Sequence, residues 1–196
     1  MKKKHKKPKP LSEQDNSKKE IIPNKEKKRK AYKAILRFVL LFIGLLILFT
    51  FFFSLTANNL LSSPIQKLII VTTYLTGLIL NLLGMGAEIG EEFLSLKNFS
   101  VTVIPECTGL HEIVIFLAAL LAYPASFKKK LWGILLGIPF IFLVNIFRMV
   151  FITAISNYRP DTFEFLHLYF WQVALILIIL SAWILWIEII VKSEKF

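Results

Sequence analysis

At 196 residues the chain is long enough for one domain, but 56% of it is hydrophobic and its mean hydropathy is +0.63, which excludes an ordinary soluble fold and makes lipid part of its solvent. The formal charge of +11 is confined to the first 37 residues, where 15 basic side chains face 4 acidic ones; the remainder is neutral, with 9 of each. A single cysteine excludes an internal disulfide, so redox compartment cannot be read from pairing.

Residues 1–34, MKKKHKKPKPLSEQDNSKKEIIPNKEKKRKAYKA, have little apolar content and read as a disordered basic tail. Lysines ahead of a first span hold an N-terminus in the cytoplasm and can touch anionic lipid. Nucleic-acid binding is the rival reading, but no aromatic platform or RNA-binding motif accompanies the charge, so no nucleic acid is expected as a partner. The tail is also too long for the n-region of a cleavable signal peptide.

Residues 35–196 read as a transmembrane domain. Apolar runs of span length occur at Ile35–Leu55, Leu110–Phe127, Leu131–Ile155 and Leu168–Val191. A fifth, Ile65–Leu83, carries Gln66, Thr73, Thr76 and Gly77 on one helical face. Basic markers lie in the tail, at Lys128–Lys130, and at Lys192 with Lys195. Placing all of them inside requires an odd number of spans before Leu110. Four spans are therefore predicted, with Ile65–Leu83 lying along the outer surface. Phe99–Ile104 (FSVTVI) alternates and is β-branched, which predicts a short strand or hairpin outside the bilayer. The expected fold is an all-α integral membrane bundle with an interfacial helix and a short extracellular strand segment.

Three polar side chains then fall at one depth. Cys107 lies 21 residues before Lys128, Arg148 lies 18 after Lys130, and His167 lies 25 before Lys192. At ~1.5 Å per helical residue, each is roughly 27–38 Å from the cytoplasmic border. A lone cysteine is more often a small inert hydrophobe than a nucleophile. Here it precedes a helix, whose free N–H groups and dipole favour a thiolate, and Thr108-Gly109 lets the backbone turn tightly.

Arg148 inside LGIPFIFLVNIFRMVFITAIS is costly in lipid unless paired or near the interface, so function is its default reading; snorkelling to outer headgroups is the bland one. Asn145, at i−3, can hold its guanidinium. His167 sits where an aromatic belt is expected. His111, at i+4 from Cys107, is a rival base. Glu106 and Glu112 can tune the site, though a carboxylate beside a cysteine raises its pKa. Nucleophile, proton shuttle and oxyanion support together suggest acyl transfer. HEIVI is not the H-E-x-x-H zinc motif, and no cofactor or metal is expected.

PECTGL, then NIFR, then a histidine opening the last span resembles the exosortase/archaeosortase family of membrane transpeptidases. The resemblance covers roughly residues 82–180. It implies Cys107 as nucleophile, Arg148 as the oxyanion or substrate-orienting residue, and His167 as general acid/base. Asn145, Thr108, Gly109, Glu106 and His111 are then supporting, and His111 becomes accessory.

The implied partners are secreted proteins with a C-terminal sorting signal made of a short motif, a hydrophobic span and a basic end. Cleavage passes through a thioester, and the acceptor is a membrane lipid, another amine or water. The implied location is the plasma membrane of a prokaryote, with both termini cytoplasmic and the active site at the outer face. The competing reading is a non-enzymatic assembly subunit or small transporter in which Arg148 pairs with Glu112 or Glu188.

Overall fold

The computed structural model describes residues 11–56 and 62–192; residues 1–10 of the basic tail and the marker Lys195 lie outside the described residues. The chain forms two compact units, residues 1–41 and 42–196. The first is the N-terminal part of helix α1 (Leu11–Thr56), which runs from the basic stretch into the first apolar run. Ile35, Leu40, Ile47 and Phe51 along α1 are exposed, an apolar surface suited to lipid.

In the second unit follow α2 (Ser62–Leu82), the strands β1 (Glu88–Ile89), β2 (Phe93–Ser95) and β3 (Ser100–Thr102), a tight turn at Pro105–Cys107, α3 (Leu110–Ala122) and α4 (Phe127–Tyr158). A last helical stretch holds α5 (Trp171–Trp186) between π-helical turns at Phe165–Phe170 and Ile187–Val191. This is an all-α membrane bundle with a small sheet. Among the described residues four helices are long and apolar enough to cross a membrane: Glu26–Phe51, Ser63–Leu82, Phe127–Tyr158 and Pro160–Val191.

The number of such helices is as expected, but the run Leu110–Phe127 is not one of them. It is helical over only 13 residues, Leu110–Ala122. Pro124 disfavours helical geometry at the residue before it, and Tyr123 is extended at φ −71°, ψ 136°. Thirteen residues rise only ~20 Å. Helix α3 nevertheless runs antiparallel to α4: Glu112 meets Arg148 near one end, at 3.7 Å, and Lys130 Nζ donates to the Leu121 carbonyl at 2.7 Å near the other. Lys129 Nζ donates to Val191 O at 2.9 Å. The lysine cluster thus neutralises carbonyls at the ends of both neighbouring helices, where the dipoles favour cations.

Helix α2, expected to lie along the outer surface, has the length and hydropathy of a span, and it packs against α4. Its buried face is Ile69, Thr72, Thr73, Thr76 and Leu80. Ile69 and Leu80, ~16 Å apart along the helix, join clusters whose buried α4 members are Met149 in one and Ile146 and Val150 in the other. With Phe142 and Ala154 packed against the second cluster, the α4 side of this contact runs over residues 142–154, about three turns of helix. The threonines expected as a polar stripe are turned inward; Thr73 and Thr76 satisfy their hydroxyls on the helix's own carbonyls of Ile69 and Thr72, at 2.8 and 2.7 Å.

The sheet is antiparallel in the order β1-β2-β3. The alternation in FSVTVI does form a strand, β3. Leu94 and Leu96 point from one face into the clusters shared with α2, while Ser100 and Thr102 are exposed on the other. Asn98, in the β2–β3 turn, donates its N–H to Asn157 Oδ1 at 3.1 Å, fastening the hairpin to the C-terminal end of α4. Beneath this end, Phe116 and Leu120 of α3, Ile141 of α4, and Ile179 and Trp186 of the last helix form the bundle core.

Candidate active site

Strand β3 leads directly into the turn that carries the thiol. Cys107 N donates to Ile104 O at 2.8 Å, and Thr108 closes the turn by donating from N and Oγ1 to Pro105 O at 3.1 and 2.7 Å. Gly109 follows at φ 81°, a left-handed conformation that glycine adopts without strain, and α3 begins at the next residue. A Cβ on Gly109 would stand 3.0 Å from Asn145 Cβ, so α4 backs the turn closely. These contacts explain the CTG sequence as geometry: threonine locks the turn and glycine reverses it.

Asn145 ties the turn to the arginine. Its Nδ2 donates to Cys107 O at 2.7 Å, and its Oδ1 accepts from Arg148 Nη1 at 3.3 Å. The same Nη1 lies 3.7 Å from Glu112 Oε1 on α3. Asn145 is fully buried and Arg148 nearly so. Arg148 is therefore paired, and its charge in an apolar helix is offset by Glu112 and by the amide oxygen. Arg148 Nε, Glu112 Oε2 and His167 Nδ1 are buried and have no hydrogen-bond partner among the described residues.

Two cavities meet at Ile104 and His167, which border both. One, of about 450 Å³, is lined by Cys107, residues of β3, Met149, Ile152 and Thr153 of α4, and Phe163. The other, of about 530 Å³, runs between α3 and the last helix and includes Glu106, His111, Glu112, Arg148 and Gln172 beside apolar residues as far as Ile179. His167 sits in the π-helical turn, a distortion frequent at functional sites. Its ring stacks on Phe163, centroids 5.3 Å apart and 11° from parallel, and Phe163 in turn meets Phe99 at 5.2 Å.

Cys107 and His167 thus border one cavity, and Arg148 and His167 the other. His111, the rival by sequence proximity, is exposed on the second cavity and does not line the one that holds Cys107. Glu106 is likewise exposed on the second. Burial pushes the Cys107 thiol above its ordinary pKa; its hydrogen bond with the Ile104 backbone and the Arg148 charge pull it down, and Glu106 and Glu112 push it up. The helix terminus was expected to favour the thiolate, but desolvation outweighs it. Among the described residues no three His, Cys, Asp or Glu side chains converge as a metal site.

Residues 32–187 match the family model described as Transmembrane exosortase (Exosortase_EpsH). The chain belongs to this family. A 102-residue stretch is 32% identical to Probable archaeosortase E of Methanocaldococcus jannaschii, covering 52% of this chain and 55% of that protein. The chain thus matches about half the length of this relative. No solved structure matches.

In this exosortase-family chain, the matched range contains Cys107, Arg148 and His167. Sequence reasoning missed three lining residues. Phe163, four residues before His167, had a signal in the i,i+4 spacing of two rings. Thr153 and Gln172 had none, since single polar residues in apolar helices are common. Glu112 was weighed as an arginine partner only under the non-enzymatic reading.

Proposed function

We propose that this exosortase-family chain is a membrane cysteine transpeptidase that cleaves C-terminal sorting signals of secreted proteins through a thioester on Cys107. His167 takes the Cys107 proton, and sulfur attacks the scissile carbonyl carbon, forming a C–S bond and an oxyanion beside Arg148. Collapse breaks the C–N bond, and His167 passes the proton to the departing amine, so the hydrophobic signal segment leaves with a neutral or protonated N-terminus. An acceptor amine, a lipid headgroup hydroxyl or water then attacks the thioester; His167 takes the acceptor's proton and returns it to sulfur. The buried thiol makes a proton acceptor necessary, because little thiolate exists at rest.

The observation that carries this reading is the cavity shared by Cys107 and His167, with Arg148 linked to the Cys107 backbone through Asn145. The charge distribution supports a multi-pass protein of a prokaryotic plasma membrane, with the basic residues 1–34 and the C-terminus cytoplasmic and the site at the outer face. The partners on this reading are secreted proteins carrying the signal, and membrane lipid as one acceptor. The test compares host membrane proteins with native enzyme and with Cys107→Ala, Arg148→Ala or His167→Ala. Uncleaved C-terminal signals should accumulate in all three, and mass spectrometry should find an acyl adduct on native Cys107. Normal processing by Cys107→Ala would end the idea.

One observation favours the second reading, a non-enzymatic assembly subunit or small transporter. Arg148 does pair with Glu112 inside the bundle, as a purely structural arginine would. That reading requires processing to be unaffected by Cys107→Ala while Glu112→Ala disrupts the protein.

A further inference from the structure

The free edge of β3 runs beside the thiol. Strand β3 is the last in the sheet order, bonded to β2 alone. Leu96 N donates to Phe99 O at 2.8 Å and Val103 N to Glu92 O at 2.6 Å, which marks both as hydrogen-bonded pairs of the ladder. Hydrogen-bonded pairs alternate along an antiparallel ladder. Val101, opposite Leu94, therefore also turns its N–H and C=O toward β2. Ser100 and Thr102 turn theirs outward, and among the described residues no backbone partner meets them. Both are exposed, and both line the cavity that holds Cys107.

We infer that the protein substrate docks as an added strand on the β3 edge, in parallel, with the residues before its scissile bond paired to Ser100 and Thr102. The inference rests on Cys107 being the nucleophile. An extended peptide recovers the unmet main-chain bonds of a sheet edge and leaves alternate side chains to be read by pockets. Here the facing wall supplies Phe99 and Phe163 for an apolar or aromatic side chain and Thr153 for a polar one.

Direction follows from where the chain goes next. β3 points toward Cys107, so a peptide whose acyl part lies along β3 and whose scissile carbonyl reaches the thiol must run the same way. Its departing segment then enters the second cavity, which begins at Ile104 and His167 and turns apolar along Ile115, Leu175, Ile176 and Ile179. An antiparallel peptide would instead place the hydrophobic segment along the exposed hydroxyl face of the sheet. From Ser100 to Ile104 the edge extends ~13 Å, so about four substrate residues pair with it.

The test uses the full chain in its host. The probe is the set of membrane proteins whose C-terminal segment stays uncleaved when Cys107→Ala replaces the native enzyme. Thr102→Pro deletes an outward N–H and spares the bonds to β2, because proline is tolerated on an edge strand. Thr102→Ala changes the side chain and keeps that N–H. Cleavage of the probe proteins should fall about tenfold more in Thr102→Pro than in Thr102→Ala, with Cys107 alkylated at the native rate in both. Equal losses in the two would overturn edge docking and leave the transpeptidase reading standing. If no protein accumulates with Cys107→Ala, the transpeptidase reading falls and edge docking falls with it.

A photo-crosslinking side chain at Ser100, in the Cys107→Ala background, tests docking without needing the proline variant to fold. It should capture the same proteins just before their hydrophobic segment, at alternate residues. Capture at no position, or only after the scissile bond, overturns the inference.

Discussion

Asn145 donates to the carbonyl oxygen of Cys107 at 2.7 Å and accepts from Arg148 at 3.3 Å, so one buried amide holds the thiol's turn and the arginine in fixed register. No other side chain among the described residues hydrogen-bonds to both. Asn145→Ala leaves the Cys107 carbonyl without a donor in a fully buried place, at a cost of about 1–3 kcal/mol. Thermal unfolding in detergent should show a lower midpoint, and Cys107 should alkylate faster as its turn loosens. An unchanged midpoint together with an unchanged alkylation rate would show that the amide holds nothing in place.

Gly109 is the second fastening of the same turn. A Cβ there adds left-handed strain at φ 81° to a contact of 3.0 Å with Asn145. Gly109→Ala should cost about 1–3 kcal/mol and should slow processing, because relief of either problem moves Cys107 away from α4. The checks are the unfolding midpoint and the cleavage rate of a host protein that depends on Cys107.

Arg148 and Glu112 allow structural and chemical roles to be separated. Their side chains are 6% and 14% exposed, and removing one member of such a pair leaves a charge unmatched, at a cost of about 3–5 kcal/mol. Glu112→Gln and Arg148→Gln should each lower stability, and the double substitution should recover much of it. Processing should remain lost in the double variant if Arg148 acts on the oxyanion. Recovery of processing along with stability would reduce Arg148 to a structural partner of Glu112.

The polar residues were the legible part of this chain. A cysteine, an arginine and a histidine at similar distances from basic markers stand out against apolar helices, and the cost of burying Arg148 forces a partner into existence. Asn145 was legible for the same reason, through its i−3 spacing. The alternation in FSVTVI showed β3, but its free edge could not be read, because which strand is outermost depends on residues 88–95 folding back. Hydropathy also overran the end of α3: Tyr123–Phe127 keeps an apolar run alive by composition, while Pro124 ends the helix by backbone sterics. The π-helical turn that carries His167 was not legible, because no composition or period announces one.

The thiol's pH response has a definite sign. Burial raises the Cys107 pKa, so at a given pH less thiolate is present than at an exposed cysteine, and the alkylation curve lies to the alkaline side. Well below that pKa the rate should climb about tenfold per pH unit. Restricted access lowers the whole curve without moving it, so the position of the curve is the readout. Glu106→Gln removes an upward push and should shift the curve to lower pH, whereas Arg148→Gln removes a downward pull and should shift it to higher pH. A curve at or below that of free cysteine would contradict the burial argument.

Close approach of α3 to α4 depends on Gly137. A Cβ there would collide with the ring of Phe116, which is 1% exposed and packed against Ile141 and the last helix. The ring has little room to yield, and small residues at such crossings are what let membrane helices approach. Gly137→Ala should therefore cost about 1–3 kcal/mol through overpacking. Gly44 in α1 is the internal control, since a Cβ there meets no atom within 4 Å. Melting in detergent should fall for Gly137→Ala and hold or rise for Gly44→Ala. Because α3 carries Glu112 to Arg148, the Gly137 variant should also slow cleavage. Equal melting of the two variants would mean that α3 can slide on α4, and that the distance between Glu112 and Arg148 is set elsewhere.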